Sequence, residues 1–189
     1  MNKLFTPHNL ADIQLKNRVV MAPMTRTRTL NDVADELVAL YYSQRASAGL
    51  IITEGLPVSE EGRGYLYTPG LYNEAQMHGW RKVTDAVHAK GGRIFAQLWH
   101  VGRMSHVSVL PENQAPVSSG TIPATNTTVF AYSDSGEPSA VTPSIPRALE
   151  TEEVKRVTKD FVKSARLAIE AGFDGVEIMA ANGFIFDQF

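Results

Sequence analysis

Four short runs of continuous, β-branched apolar sequence constrain this chain more than any other feature. They are RVVMAP (18–23), GLIITEG (49–55), GRIFAQLW (92–99) and GFDGVEIM (172–179). None alternates with polar residues, as strands of a half-solvated sheet do, so all four read as parallel strands covered on both faces. Helical patterns separate them. DELVALYYSQRASA (35–48) places Leu37, Leu40, Tyr41 and Ala48 at helical spacing, with Gly49 to stop it. NEAQMHGWRKVTDAVHAKGG (73–92) offers Asn73 as N-cap, Glu74 in the first turn and a Gly-Gly exit. In TEEVKRVTKDFVKSARLAIEAG (151–172), Thr151 reads as the cap and Glu152 and Glu153 complement the helix dipole. Val154, Val157, Phe161, Val162, Ala165, Ala168 and Ile169 form its apolar stripe.

The order β-α-β-α-β-α-β predicts an α/β fold with a parallel sheet and right-handed crossovers, in one domain over residues 1–189. Residues 107–148 interrupt it with a Ser-, Thr- and Pro-rich insertion. Within this, TTVFAYSDSGEPSAVTP reads as a hairpin turning at Asp134-Ser135-Gly136, and an insertion of this length reads as a lid or cap. No glycine-rich phosphate loop follows the first run. MAPMTRTRTLND carries proline and threonine instead, which weighs against an open flavodoxin-like sheet. A (β/α)8 TIM barrel needs eight strands and about 250 residues. Four strands amount to a half-barrel, with two raw edges and an unpacked inner face.

Composition removes several function classes. A net charge of −2 gives no electrostatic case for nucleic acid or for an anionic membrane. The absence of cysteine excludes disulfides, thiolate metal sites and cysteine nucleophiles. His8, His78, His88, His100 and His106 are scattered without an acidic partner set, so no metal site is expected. No apolar run approaches a membrane span or a signal peptide, and a cytoplasmic protein is the expectation.

Four motifs carry a resemblance: MAPMTR after the first run, GYLYTPG after the second, QLWHVGR on the third and NGFIFDQF after the fourth. With this spacing the chain resembles the N-terminal half of the old yellow enzyme family, FMN-dependent NAD(P)H oxidoreductases of the ene-reductase type. The resemblance implies a (β/α)8 barrel of which these are the first four strands. It also implies FMN as cofactor, NAD(P)H as reductant, and activated alkenes, nitro compounds or quinone-like acceptors as small-molecule substrates.

Residue by residue, the resemblance puts Pro23, Met24, Thr25, Gly55 and Gln97 against the flavin. The Thr25 hydroxyl would meet the O4 side of the ring and the Gln97 amide its pyrimidine edge, while Gly55 would leave room for the ring to lie against backbone. Read by themselves, Pro23 and Thr25 are equally a turn proline with a helix cap, and Gly55 a strand-ending glycine. A buried amide such as Gln97 needs partners in either case. Tyr65 and Trp99 match substrate-side positions, though aromatic residues at such spacing also serve as packing. His100 and Arg103 read as structural.

The family pattern after the fourth strand is His-x-x-Asn or His-x-x-His, followed by Gly-Tyr-Leu-x-x-Gln-Phe. Here Met179, Asn182 and Phe184 hold the donor positions. Asn182 keeps a donor for a substrate carbonyl, the Met179 thioether has none, and Phe184 keeps the ring without the acid. The family's flavin N1 arginine and phosphate loops belong to the second half of the barrel. The expectations are therefore FMN binding that is weak or absent in this chain alone, impaired catalysis, and a homo-oligomer that covers the open half-barrel.

Overall fold

The computed structural model describes residues 2–189. The chain opens with an antiparallel hairpin, β1 (His8–Leu10) and β2 (Ile13–Leu15), whose three-residue strands are too short to stand out as apolar runs. It continues through β3 (Val20–Met21), α1 (Glu36–Ser43), β4 (Leu50–Pro57), α2 (Glu74–His88) and β5 (Ile94–Trp99). Next come β6 (Val117–Ser118), β7 (Val129–Tyr132), β8 (Pro138–Val141) and β9 (Arg147–Ala148). The helix α3 (Thr151–Glu170) and strand β10 (Gly175–Ile178) complete the regular structure.

Strands β3, β4, β5 and β10 form one parallel sheet in that spatial order. Each lies beside its predecessor, and the first is an edge strand. A flavodoxin-like sheet would instead hold its first strand inside.

Over its central strands the sheet is covered on one face only, which corrects the reading of strands covered on both faces and agrees with the unpacked inner face expected of four strands. Ile51, Ile94, Ala96 and Leu98 join the helices in the main core and are essentially inaccessible. Their neighbours Ile52 and Phe95, which alternation sends to the other face, are only half-buried. The anchor of the covered side is Trp80 on α2. It is fully buried, donates Nε1–H to the Gly70 carbonyl at 3.1 Å, and packs tilted against Tyr42 and Phe173.

The helices start close to where the sequence places them, and two details differ. Asp35 and Asn73 cap α1 and α2 by accepting amide hydrogen bonds. For α3 the cap is Glu150 and not Thr151, which is the first helical residue; the Glu150 amide donates to Glu153 Oε2 at 2.9 Å. The second difference concerns the apolar stripes. Leu37 (66% exposed) and Leu40 (51%) on α1, and Val162 (47%) and Ile169 (62%) on α3, face outward. The faces that pack inward carry Ala39, Tyr42 and Ser43 on α1, and Val157, Phe161, Ser164, Leu167 and Ala168 on α3.

The insertion does hold a hairpin. β7 pairs antiparallel with β8 around a turn in which Gly136 has φ +80, and Ser133 donates its amide to the Glu137 carbonyl. The hairpin packs on the loop after β4: Leu66 donates its amide to the Phe130 carbonyl at 2.9 Å. Leu66, Val129 and Ala131 share a small apolar cluster there. The two-residue strands β6 and β9 pair in parallel and close the neck of the insertion.

Candidate functional site

The carboxyl ends of parallel strands are where loops bring unlike side chains together. At that rim a cavity of about 420 Å3 is lined by Pro23, Thr25, Thr27, Tyr65, Gln97, Trp99, Met179, Asn182 and Phe184. Pro23, Thr25 and Thr27 come from the loop after β3, Tyr65 from the loop after β4, Gln97 and Trp99 from β5, and the last three from the turn after β10. Of the residues singled out in the sequence, Pro23, Thr25, Tyr65, Gln97, Trp99, Met179, Asn182 and Phe184 meet here.

Two do not. Met24 is half-exposed and lines a separate groove with Phe5, Val19 and Met21. Gly55 is needed for a different neighbour than the one expected. A Cβ built on it would lie 2.1 Å from Cε3 of Trp99, so the room its missing side chain leaves is filled by the indole.

Thr27 is the lining residue that the sequence reading missed. It has φ +50, rare for a β-branched side chain, and no sequence signal marks such a strained position.

Gln97 is 4% exposed and donates Nε2–H to Glu177 Oε1 at 2.6 Å. Register makes this possible, because Gln97 and Glu177 are direct partners across β5 and β10 and so share a face. Among the described residues Gln97 Oε1 has no hydrogen-bond partner, so the amide keeps an acceptor for a ligand. The Tyr65 ring lies 5.8 Å from the Trp99 ring, and Trp99 meets Phe184 edge-to-face at 5.3 Å. Burial raises the Tyr65 phenol above its ordinary value of 10, so it is a neutral hydroxyl at physiological pH. Trp99 Nε1 is buried without a partner among the described residues.

The turn after β10 is rigidly held. Asn182 and Gly183 take φ +63 and +70, conformations that asparagine and glycine tolerate best. The Gly183 amide donates to Asp187 Oδ2 at 2.8 Å. Gln188 bridges this turn to the loop after β5: its Nε2 donates to the Gly183 and Val101 carbonyls, and its Oε1 accepts from the Arg103 amide. Gly102, at φ +58, is the close-approach position, since a Cβ there would sit 2.0 Å from Gln188 Oε1.

His100, which the sequence reading treats as structural, is not among the residues lining the cavity. It is fully buried, Nδ1 accepts from the Gly102 amide, and Nε2 faces Glu61 at 3.8 Å. Burial pushes the Glu61 carboxyl up, but the adjacent His100 and the hydrogen bond from Arg156 outweigh this and hold it below its ordinary range.

Among the described residues, no charged side chain lines the cavity. Its chemistry suits a flat, uncharged ring with a donor–acceptor edge: hydroxyls at Thr25 and Thr27, a half-free amide at Gln97, an amide at Asn182 and aromatic walls. That fits the ring system of a flavin. It does not fit a phosphate, which needs cationic or helix N-terminal partners. No cluster of three or more His, Cys, Asp or Glu side chains able to hold a metal occurs among the described residues. Nor is any described helix long and apolar enough to cross a membrane.

Residues 3–189 match the family model described as NADH:flavin oxidoreductase / NADH oxidase family. The chain belongs to that family. Among its curated relatives, 12-oxophytodienoate reductase 1 of Oryza sativa subsp. japonica is 44% identical over 187 residues, covering 98% of this chain and 47% of the relative. 12-oxophytodienoate reductase 2 of Arabidopsis thaliana is 42% identical with similar coverage. Among solved structures, morphinone reductase in complex with tetrahydroNAD superposes with a TM-score of 0.95 at 48% identity. That alignment covers 98% of this chain and 51% of the other. An old yellow enzyme homologue from Zymomonas mobilis gives 0.90 at 43% identity, covering 98% of this chain and 50% of its own. The α/β fold is thus that of the old yellow enzymes, and the chain spans about half the length of the relatives it matches.

Proposed function

We propose that this chain forms the ring-binding side of an FMN-dependent NAD(P)H oxidoreductase of the ene-reductase type. In this reading its four parallel strands are one half of a (β/α)8 barrel and residues 107–148 cap the mouth. The observation that carries the reading is convergence: side chains from four separate strand ends meet in one uncharged cavity of about 420 Å3.

Thr25 and Gln97 hold the ring, the first by its hydroxyl and the second by the amide oxygen that Glu177 leaves free. Pro23 closes that side, and Tyr65 and Trp99 wall the substrate side. When bound, the flavin would supply the reducing equivalents of NAD(P)H to an activated alkene, a nitro compound or a quinone-like acceptor. Asn182 would donate a hydrogen bond to the substrate oxygen on which charge develops. A single donor of this kind is worth on the order of 3 kcal/mol of barrier. Met179 adds none, and Phe184 excludes water without delivering a proton, so net alkene saturation is slow. FMN binds weakly to this chain alone, because nothing in the cavity neutralises its phosphate.

Adding FMN to isotopically labelled protein tests the site. The backbone amide of Thr25 and the side-chain amides of Gln97 and Asn182 should shift together while Asp174, at the opposite end of the sheet, stays still. Shifts confined elsewhere, or none, would remove the reading.

A second reading is favoured by one observation. An apolar groove of about 540 Å3 runs between α3 and the open edge of β10, lined by Val157, Phe161, Val176, Ile178 and Phe186 among others. A second copy of the chain seated there would bury it and give a non-catalytic, self-associated half-barrel. Sedimentation equilibrium decides this: a well-folded monomer at high concentration excludes it.

A further inference from the structure

The loop between β3 and α1 carries Thr25 and Thr27 to the cavity with no regular structure of its own, and Thr27 sits in a strained conformation. Such a backbone persists only where its surroundings over-determine it. The Thr29 amide is held by the Tyr67 carbonyl at 2.9 Å, and the constraint nearest Thr25 comes from β4. There the register against β5 slips between Ile52 and Gly55, so Thr53 and Glu54 together oppose Ala96 in a bulge. Thr53 Oγ1 accepts the Gln97 amide at 3.0 Å across this irregularity. Glu54 is thereby turned to the helix side, where it is 2% exposed. Its Oε2 accepts from the Arg26 amide at 3.1 Å, the peptide link next to Thr25. Its Oε1 accepts from the Tyr42 hydroxyl at 3.3 Å, and that hydroxyl accepts the Glu54 amide at 2.9 Å.

We propose that Glu54 is the positioning residue of this rim: its carboxylate, acting through the Arg26 amide, fixes the Thr25 hydroxyl at the cavity mouth. The cavity's grip on a flavin ring accordingly follows the charge on Glu54. The ring-binding half of this statement rests on the function proposed above, and the backbone half does not.

The surroundings make that charge adjustable. Burial raises the Glu54 carboxyl from 4.5 to about 7, against the lowering effect of the Arg26 amide, the Tyr42 hydroxyl and the Arg26 guanidinium. The titratable groups around it are few. From the loop come Arg26 and Arg28, and from α1 and its cap come Tyr41, Tyr42 and Asp35. On the β5 side, Ala96 and Gln97 do not titrate. Arg26 is partly diverted, since its guanidinium and that of Arg45 each stack 3.7 Å from the centre of the Tyr41 ring. An ionised acceptor holds an amide more strongly than a neutral one. The loop should therefore tighten as pH rises through the Glu54 titration.

Hydrogen exchange of the 189-residue chain, corrected for intrinsic rates, reads this directly. In the unmodified chain, protection of amides 24–29 should rise several-fold to about tenfold between about pH 5.5 and 8.5, with its midpoint near that of Glu54. Glu54→Gln keeps an acceptor of the same shape and should hold protection flat at the low-pH level, with amides 94–99 of β5 unchanged as a folding control. Tyr42→Phe, which leaves the carboxylate in place, should keep the pH response and shift its midpoint. A flat profile in the unmodified chain, or an unaltered one in Glu54→Gln, overturns the proposal. Riboflavin, which has no phosphate to titrate, serves as the ring probe. Its affinity should follow the protection profile in the unmodified chain and lose its pH dependence in Glu54→Gln. Should protection behave as stated while riboflavin affinity ignores both pH and substitution, the ring-binding half fails and Glu54 holds the loop for another reason.

Discussion

Gln97 on β5 and Glu177 on the edge strand β10 are register partners whose side chains join at 2.6 Å, tying the rim's polar lining to that strand. The bond fixes which way the Gln97 amide points and leaves its oxygen outward. Replacing Gln97 by leucine would strand the Glu177 carboxylate on a partly covered face. The expected cost is about 1–3 kcal/mol of stability, together with about tenfold weaker flavin binding for the lost acceptor. Denaturant unfolding and a flavin titration on the same protein check the two effects separately.

Gly55 and Trp99 give a sharper steric test. With an added methyl 2.1 Å from the indole, Gly55→Ala must displace a ring that has no flexible end to yield. Overpacking of this kind costs about 1–3 kcal/mol. Because Trp99 also contacts Phe184, its movement should reach the turn that carries Asn182. A changed Trp99 emission in a Trp80→Phe background, with a lowered unfolding midpoint, is the expected outcome.

Stability should depend on pH through Glu54. The folded chain holds its proton up to about pH 7, whereas the unfolded chain releases it near 4.5. Across that window the folded state binds more protons, so stability falls as pH rises and levels off above it. From about pH 5 to 8.5 the loss is roughly 2–3 kcal/mol. Glu54→Gln should remove this slope and be the more stable protein at the alkaline end, measured by urea unfolding at each pH. Rim tightening and global destabilisation thus have opposite signs with pH, which keeps this measurement independent of the exchange experiment.

Met179 and Phe184 make the chemistry testable by restoration. Phe184 already lines the cavity, so Phe184→Tyr places a hydroxyl at its wall with little change of volume. It should raise the rate at which an α,β-unsaturated ketone is saturated by about 10²–10⁴-fold. Asn182→Ala should lower that rate by about 10²–10³-fold. Single-turnover reoxidation of the reduced, flavin-loaded chain measures both.

The strands were legible because Val19–Val20, Ile51–Ile52 and Ile94–Phe95 are continuous apolar pairs, yet the same continuity hid the asymmetry of the sheet. Ile52 and Phe95 look as core-like as Ile51 and Ile94, and only their neighbours in space tell them apart. On α1, Leu37 and Leu40 outrank Ala39 and Ser43 in hydrophobicity but not in burial, because the face that packs inward is the one carrying Tyr42. At the rim, Pro23, Thr25, Tyr65, Gln97, Trp99, Met179, Asn182 and Phe184 line one cavity, a grouping that came from the family resemblance and not from periodicity, while Met24 and Gly55 lie outside it. Thr27, the Glu177 partner of Gln97 and the buried Glu54 escaped notice. Each depends on a backbone irregularity or a cross-strand register that one-dimensional patterns do not carry.

The most direct test of the central claim compares FMN with riboflavin in equilibrium titrations against the 189-residue chain. A cavity that grips the ring through Thr25 and Gln97, without a charged lining, should bind the two within about threefold of each other, and Gln97→Leu should weaken both equally. Failure of either flavin to bind, or FMN binding far more tightly than riboflavin with no response to Gln97→Leu, would contradict it.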